Sequence, residues 1–358
     1  MDLALQTPKF AYVGCFTTAD RDGRGKGIEI FSIDSKTGAW TKIQSIESVN
    51  PGFLTMDSQK KFLYVAHGGG TIVSAYAIDQ ESGKLKFLNE QPTGGKNGAH
   101  LTLDPNDKFL LVANNSSGDL TVCPVREDGS IAQFSDLVTL SGKIGPNRSD
   151  QASSHPHQVS FDPSGTFVIV SDIGLDRVFV YRLDASTGKL IANEYPSVAT
   201  RAGAGPRHFA FHPSKSYIYV INGLDTTITT YQFNSHRGEL VPIQVMPALP
   251  TTFVENSNAS EVMVTPSGKF AYGVTRGSNM IGIFAIDQGT GVLDPVEWVS
   301  TQGEGPRFFT LDTAGAYLYV GNLSTDTIVI FRINQLDGTL FPTGQVVATG
   351  SPACIVFR

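Results

Sequence analysis

The sequence has little with which to staple, anchor or metallate itself. Cys15, Cys123 and Cys354 are its only cysteines in 358 residues. An odd, widely spaced set builds no disulfide framework and shows no metal-site spacing, so we expect reduced, packed thiols and a cytoplasmic setting. No apolar run approaches the roughly 20 residues of a spanning helix. Met1–Lys9 lacks the basic stretch and apolar core of a secretory leader. A membrane partner is therefore not expected. Positive charge is also short, with 27 Lys and Arg against 33 Asp and Glu and a formal net charge of −6. Proteins that grip duplex phosphates are normally basic, so nucleic acid is not an expected partner either. The common catalytic signatures are missing: no Gly-x-Ser-x-Gly elbow, no His-Glu-x-x-His, no phosphate-cradling Gly-Lys-Ser loop.

What the sequence does hold is repetition. Hydrophobic residues make up 41% of the chain, enough for a sizeable core, while 37 glycines and 19 prolines are spread along it as turn material. One phrase recurs about every 50 residues: an apolar run, a turn of Asp-Pro-Ser-Gly type, then an aromatic-aliphatic run. It reads HLTLDPNDKFLLVANN from His100, HQVSFDPSGTFVIVSD from His157 and HFAFHPSKSYIYVING from His208. Further copies start near Gly52, Glu261 and Phe308. A seventh is split: KFAYVGC from Lys9 is the second half of the phrase, and SPACIVFR from Ser351 is a first half without its partner. Each copy is followed by material for two more alternating strands. Four short strands per repeat predict an all-β fold, a seven-bladed β-propeller with four antiparallel strands per blade. Residues 1–358 form a single domain in this reading. N- and C-terminal strands share one blade and so close the ring, where an open ring would leave strand edges unpaired. No Trp-Asp dipeptide ends the blades, which argues against the scaffold propellers of that type.

This topology locates a site. The start of each first strand and the end of each second strand must crowd around one mouth of the channel. First-strand starts bring His100, His155, His157, Arg207, His208, Glu261 and Arg307; second-strand ends bring His67, Asn114, Asp172, Asn222, Arg276 and Asn322. The asparagines read more readily as turn residues than as ligand contacts, and His67 and His100 equally as groups satisfying nearby backbone. Three arginines converging in an acidic protein suit carboxylate or phosphate oxygens. Buried guanidinium needs a partner, and Glu261 can serve only some of them. Ser135–Ser154 and Pro242–Asn258 read as long irregular segments ending at this mouth, as lids or binding loops do.

On these residues the sequence resembles the lactonase family of seven-bladed propellers, which includes 6-phosphogluconolactonase and the fungal-type carboxy-cis,cis-muconate cyclase. The likeness covers nearly the whole chain. It is densest at Gly145-Pro146-Asn147 with Gln151, at His155-Pro156-His157, and at Asp172-Ile173-Gly174 with Asp176-Arg177. Gly205-Pro206-Arg207-His208, Leu249-Pro250 through Ser260-Glu261, and Arg276-Gly277 complete it. The resemblance implies a small anionic lactone or its open acid as ligand, with no metal or organic cofactor. By position, His157, Arg207 and Arg276 match catalytic residues of the family. His100, His155, Asp172, His208, Asn222, Glu261 and Arg307 are the expected substrate contacts. Arginine would polarise the lactone carbonyl, and His157 would move a proton. One position departs: the family commonly carries Glu where this chain has Gly223. The expected function is hydrolysis of a sugar lactone such as 6-phosphogluconolactone. A muconate-type cycloisomerase and a non-catalytic sugar-acid-binding propeller are the alternatives.

Overall fold

The computed structural model describes residues 8–214 and 216–358, so most of Met1–Lys9, the segment lacking leader features, lies outside the described residues. Among these, 28 strands form seven four-stranded antiparallel sheets. Each repeat of the sequence is one blade. Ring closure is as expected: Pro352–Phe357 pairs with Phe10–Cys15, Tyr12 facing Val356, inside a blade completed by Gly27–Ile33 and Trp40–Glu47. The first strands of successive blades contact one another all the way round, so they line the central channel. Alternation along the inner strands sends aliphatic and aromatic side chains into the interfaces between blades, as in the cluster of Leu111, Val122, Val159 and Val170.

Side-chain bonds tie blade to blade. Tyr12, Tyr64, Tyr219 and Tyr272 each donate a hydroxyl proton to a turn carbonyl of the next blade, at Gly83, Gly129, Gly291 and Gly338 respectively. Gly83 has φ +71°, and a Cβ there would fall 2.4 Å from the Phe10 ring, so glycine is required on both counts.

The expected irregular segments are shorter than the sequence suggests. Asp136–Thr139 and Glu239–Pro247 are outermost strands, leaving loops 140–155 and 248–257. These strands were hard to see because an edge strand buries only alternate residues, as the exposed Leu137, Val241 and Val245 illustrate.

One irregularity positions the site. In six blades the pairing of first and second strand slips by one residue immediately after the first strand begins, and an equivalent slip occurs at Cys15–Pro352 in the shared blade. The extra, unpaired residue of such a bulge is re-aimed relative to the sheet. His157, Arg207 and Arg307 occupy this bulge position in their blades. The residue immediately after each bulge is Phe53, His100, Gln158, His208, Glu261 or Phe308, and all six line the channel.

Candidate active site

The bulge residues face a cavity of roughly 380 Å³ at one mouth of the propeller. His157, Arg207 and Arg307 line it, joined by Arg276 from the end of a second strand and by His155 from the loop ahead of its own strand. Loop 140–155 contributes Ser149 and Asp150 to the wall. That loop is pinned from below. Gln151 Nε2 donates to Asp176 Oδ1 at 2.7 Å, and the same carboxylate accepts from the Gly203 and Gly205 amides at 2.7 and 2.8 Å. Asp176 thereby couples the 145–151 turn to the 201–205 turn that precedes Arg207.

Among the described residues no carboxylate makes an ion pair with Arg207, Arg276 or Arg307. Arg207 is only 3% exposed, and its Nη1 is buried without a hydrogen-bond partner; so is Nε of Arg276. Arg307 lies over the Phe16 ring at 4.9 Å, a cation–π contact. Burial pulls Arg207 well below the ordinary guanidinium range, helped by the charges of Arg276 and Arg307. Burial, with the charges of Arg276 and Arg21, brings Arg307 down to about 9. Such a cluster is destabilising on its own and favours any anion that can enter.

Behind the arginines runs a buried chain of acid and base. His157 Nδ1 lies 3.0 Å from His208 Nε2, and His208 Nδ1 lies 2.8 Å from Glu261 Oε2. Burial, reinforced by the guanidiniums, holds both imidazoles well below their usual range. Burial pushes Glu261 up to about 8, against the pull of Arg207, the Val262 amide and Arg307. Glu261 therefore hydrogen-bonds a histidine and reaches Arg207 and Arg307 only through its charge, at longer range.

Several expected contacts need correction. Asp172 does not line the cavity: its carboxylate accepts from Ser154 Oγ and from the His155 and Leu175 amides, which fixes the loop. Asn222 is also withdrawn, its Nδ2 donating to Thr227 and Thr229 Oγ1 at the strand end. His100, His208 and Glu261 sit one residue past the bulge and line the channel instead of the mouth. His100 is packed on Phe53, ring centroids 3.9 Å apart.

Asn115, Leu224 and Asn258 line the mouth and went unnoticed in the sequence. The signal that sorts these positions was nevertheless printed in the chain. Pro51, Pro156, Pro206, Pro306 and Pro352 open five first strands, and the bulge follows each proline.

Gly223 lines the cavity beside Arg207. A Cβ there would lie 3.2 Å from Arg207 Cδ, so its absence gives the guanidinium stem its room.

The family described as Lactonase, 7-bladed beta-propeller, matches residues 10–357. The chain belongs to this lactonase family. A 6-phosphogluconolactonase of Bacillus subtilis is 34% identical over 355 residues, covering 98% of this chain and 99% of the relative. Another protein of that name, from Formosa agariphila, is 31% identical, with 97% and 99% coverage. Among solved structures, the Pseudomonas aeruginosa periplasmic gluconolactonase superposes with a TM-score of 0.91 at 27% identity, covering 98% of this chain and 99% of that one. Lactonase-family membership and the propeller fold were both legible from the repeats and the mouth motifs.

Proposed function

We propose that this protein hydrolyses a small anionic sugar lactone, of the 6-phosphogluconolactone kind, to the open acid. The observation that carries the reading is the trio of guanidiniums, with no ion-pair partner among the described residues, around a cavity that also presents His157. The names of the full-length relatives support it, since they describe lactonases acting on phosphogluconolactone or gluconolactone.

In this reading Arg207 and Arg276 polarise the lactone carbonyl and stabilise the oxyanion that forms at attack. Arg307 holds the phosphate or another remote anionic group. His157, whose Nδ1 is engaged by His208, offers Nε2 to the attacking water. The water oxygen bonds the carbonyl carbon as its proton passes to Nε2. As the ring C–O bond breaks, Nε2–H returns a proton to the departing ring oxygen. A low imidazole pKa suits this cycle, because the histidine enters it neutral. His155 is a contact at the rim. The whole chain works as one propeller domain, a reading supported by the blade that its two ends share. We place the reaction in the cytoplasm, supported by three buried, unpaired cysteines.

The test follows proton release from freshly made lactone above the spontaneous background. Acceleration that Arg207→Ala abolishes is expected. A wild-type protein that leaves the background rate unchanged contradicts the proposal.

A further inference from the structure

The mouth cavity is not the only opening on the axis. A second cavity of roughly 360 Å³ lies on the far side of the channel, lined by Phe53, His100, His208, Glu261 and Phe308, and reaching the opposite-face turns at Pro266 and Asp312. The two cavities share no lining residue. A layer of rings separates them, with Phe53 against His100, Phe308 and His208 at centroid distances of 3.9, 5.7 and 6.2 Å. The hydrogen bond from His157 to His208 crosses this layer, joining a residue that faces the mouth to one that faces the channel.

We infer that His157, His208 and Glu261 form a proton relay, which carries the proton taken from the attacking water to Glu261 and hands it back through His157 to the departing ring oxygen. The inference rests on the lactonase reading and adds the proton's route. Two hydrogen-bond polarities are open to the chain. With Glu261 ionised, His208 Nδ1–H donates to it, His157 Nδ1–H donates to His208 Nε2, and His157 Nε2 carries a lone pair. A proton arriving at that nitrogen pushes the His157 Nδ1 proton to His208 Nε2. The His208 Nδ1 proton then passes to Glu261 Oε2. Both imidazoles end neutral with their tautomers reversed, and the added charge has become a neutral carboxylic acid.

This resting place is the one the electrostatics favour. An imidazolium at His157 or His208 would face Arg207, Arg276 and Arg307, all of which oppose it. Glu261 is the buried group whose proton affinity is raised, up to about 8, chiefly by burial. His100 also faces His208, with centroids 5.8 Å apart, and is itself held low by burial, so it does not compete for the proton.

The same hops in reverse give the proton to the departing ring oxygen and restore the lone pair on His157 Nε2, ready for the next water. Each turnover consumes one water; one of its protons ends on the freed hydroxyl oxygen, and the other is lost when the product carboxyl ionises. Of the three relay residues only His157 touches substrate, and His208 and Glu261 are positioning and relay residues.

The test pairs two readouts on wild type and Glu261→Gln. Histidine ¹⁵N NMR of the ligand-free protein is expected to show His157 and His208 exchanging tautomers between about pH 6 and 9 in wild type, and fixed in the variant. In weak buffer the variant should lose about 100-fold in kcat with KM unchanged, and small diffusible buffers such as imidazole should restore it as their concentration rises. Wild-type tautomers that do not change over this range, or a variant with full kcat in weak buffer, overturn the relay. A wild type that switches tautomers but turns over no lactone keeps the relay and removes the substrate reading.

Discussion

The two faces of this propeller treat their polar groups in opposite ways. On the turn face, four hairpins begin with an aspartate whose Oδ1 accepts two backbone amides, four and five residues on. Asp57 takes Lys61 and Phe62, Asp104 takes Lys108 and Phe109, Asp162 takes Thr166 and Phe167, and Asp312 takes Ala316 and Tyr317, all at 2.6–2.8 Å. Every one of those carboxylates is spent on the fold. On the mouth face, Arg207 and Arg276 keep buried nitrogens with no hydrogen-bond partner among the described residues, and Glu261, whose charge reaches Arg207, is hydrogen-bonded to His208 instead. A satisfied polar group reports on folding; an unsatisfied one, held in place at a cost in stability, reports on a ligand that is yet to arrive.

That contrast orders the expected effects of substitution. Deleting Ser351–Arg358 removes the first strand of the shared blade, exposing its partner at Phe10–Cys15. The truncated chain should fail to fold or should aggregate, read by loss of the cooperative thermal transition. Arg207→Ala comes next, with a loss of about 10³-fold in kcat/KM. Its thermal midpoint should stay level or rise, because an unpaired buried charge is removed. Asp162→Ala should do the reverse. It leaves the Ser164, Thr166 and Phe167 amides and the Ser164 hydroxyl without their acceptor, costs about 2 kcal/mol in denaturant unfolding and preserves kcat. Gly223→Ala should be the mildest: the new Cβ crowds the Arg207 stem at 3.2 Å, and KM should rise about twofold with no change in kcat.

Stability against pH separates the buried acid from the buried bases. Glu261 binds its proton more tightly in the folded chain, with a pKa of about 8. The native state therefore holds more protons than the unfolded state between the ordinary carboxylate range and that value. Stability from this group is full at low pH and is lost as pH rises towards 8. The lowered histidines act the other way: the unfolded chain takes up protons first, and stability falls as pH drops below the ordinary imidazole value. Glu261→Gln should remove the fall in stability up to about pH 8 and steepen the loss below the ordinary imidazole value, where Glu261 opposes the histidines, as read by thermal midpoints across the pH range.

Much of this was legible in the chain because a repeat shows itself many times over. Tyr64, Tyr219 and Tyr272 sit at one place in the phrase and make one kind of bond, so the blade could be read without knowing the bond. The mouth was legible as a neighbourhood, since topology alone brings Arg207, Arg276, Arg307 and His157 together. The assignment within it was not, because adjacent residues such as Arg207 and His208 differ by a one-residue slip in pairing. A bulge depends on how two strands register, and strand periodicity alone does not state which residue is extra. Asp172 and Asn222 misled for a related reason: strand ends are where both turns and ligands use polar side chains.

The most direct measurement is proton release by wild type and Arg207→Ala, with 6-phosphogluconolactone and its unphosphorylated analogue compared at equal concentration. Wild type should accelerate both and favour the phosphorylated one, and Arg207→Ala should fall to the spontaneous rate while keeping its fold. Wild-type rates no faster than background, or an Arg207→Ala variant that turns over normally, would mean that the unpaired guanidiniums serve something other than lactone hydrolysis.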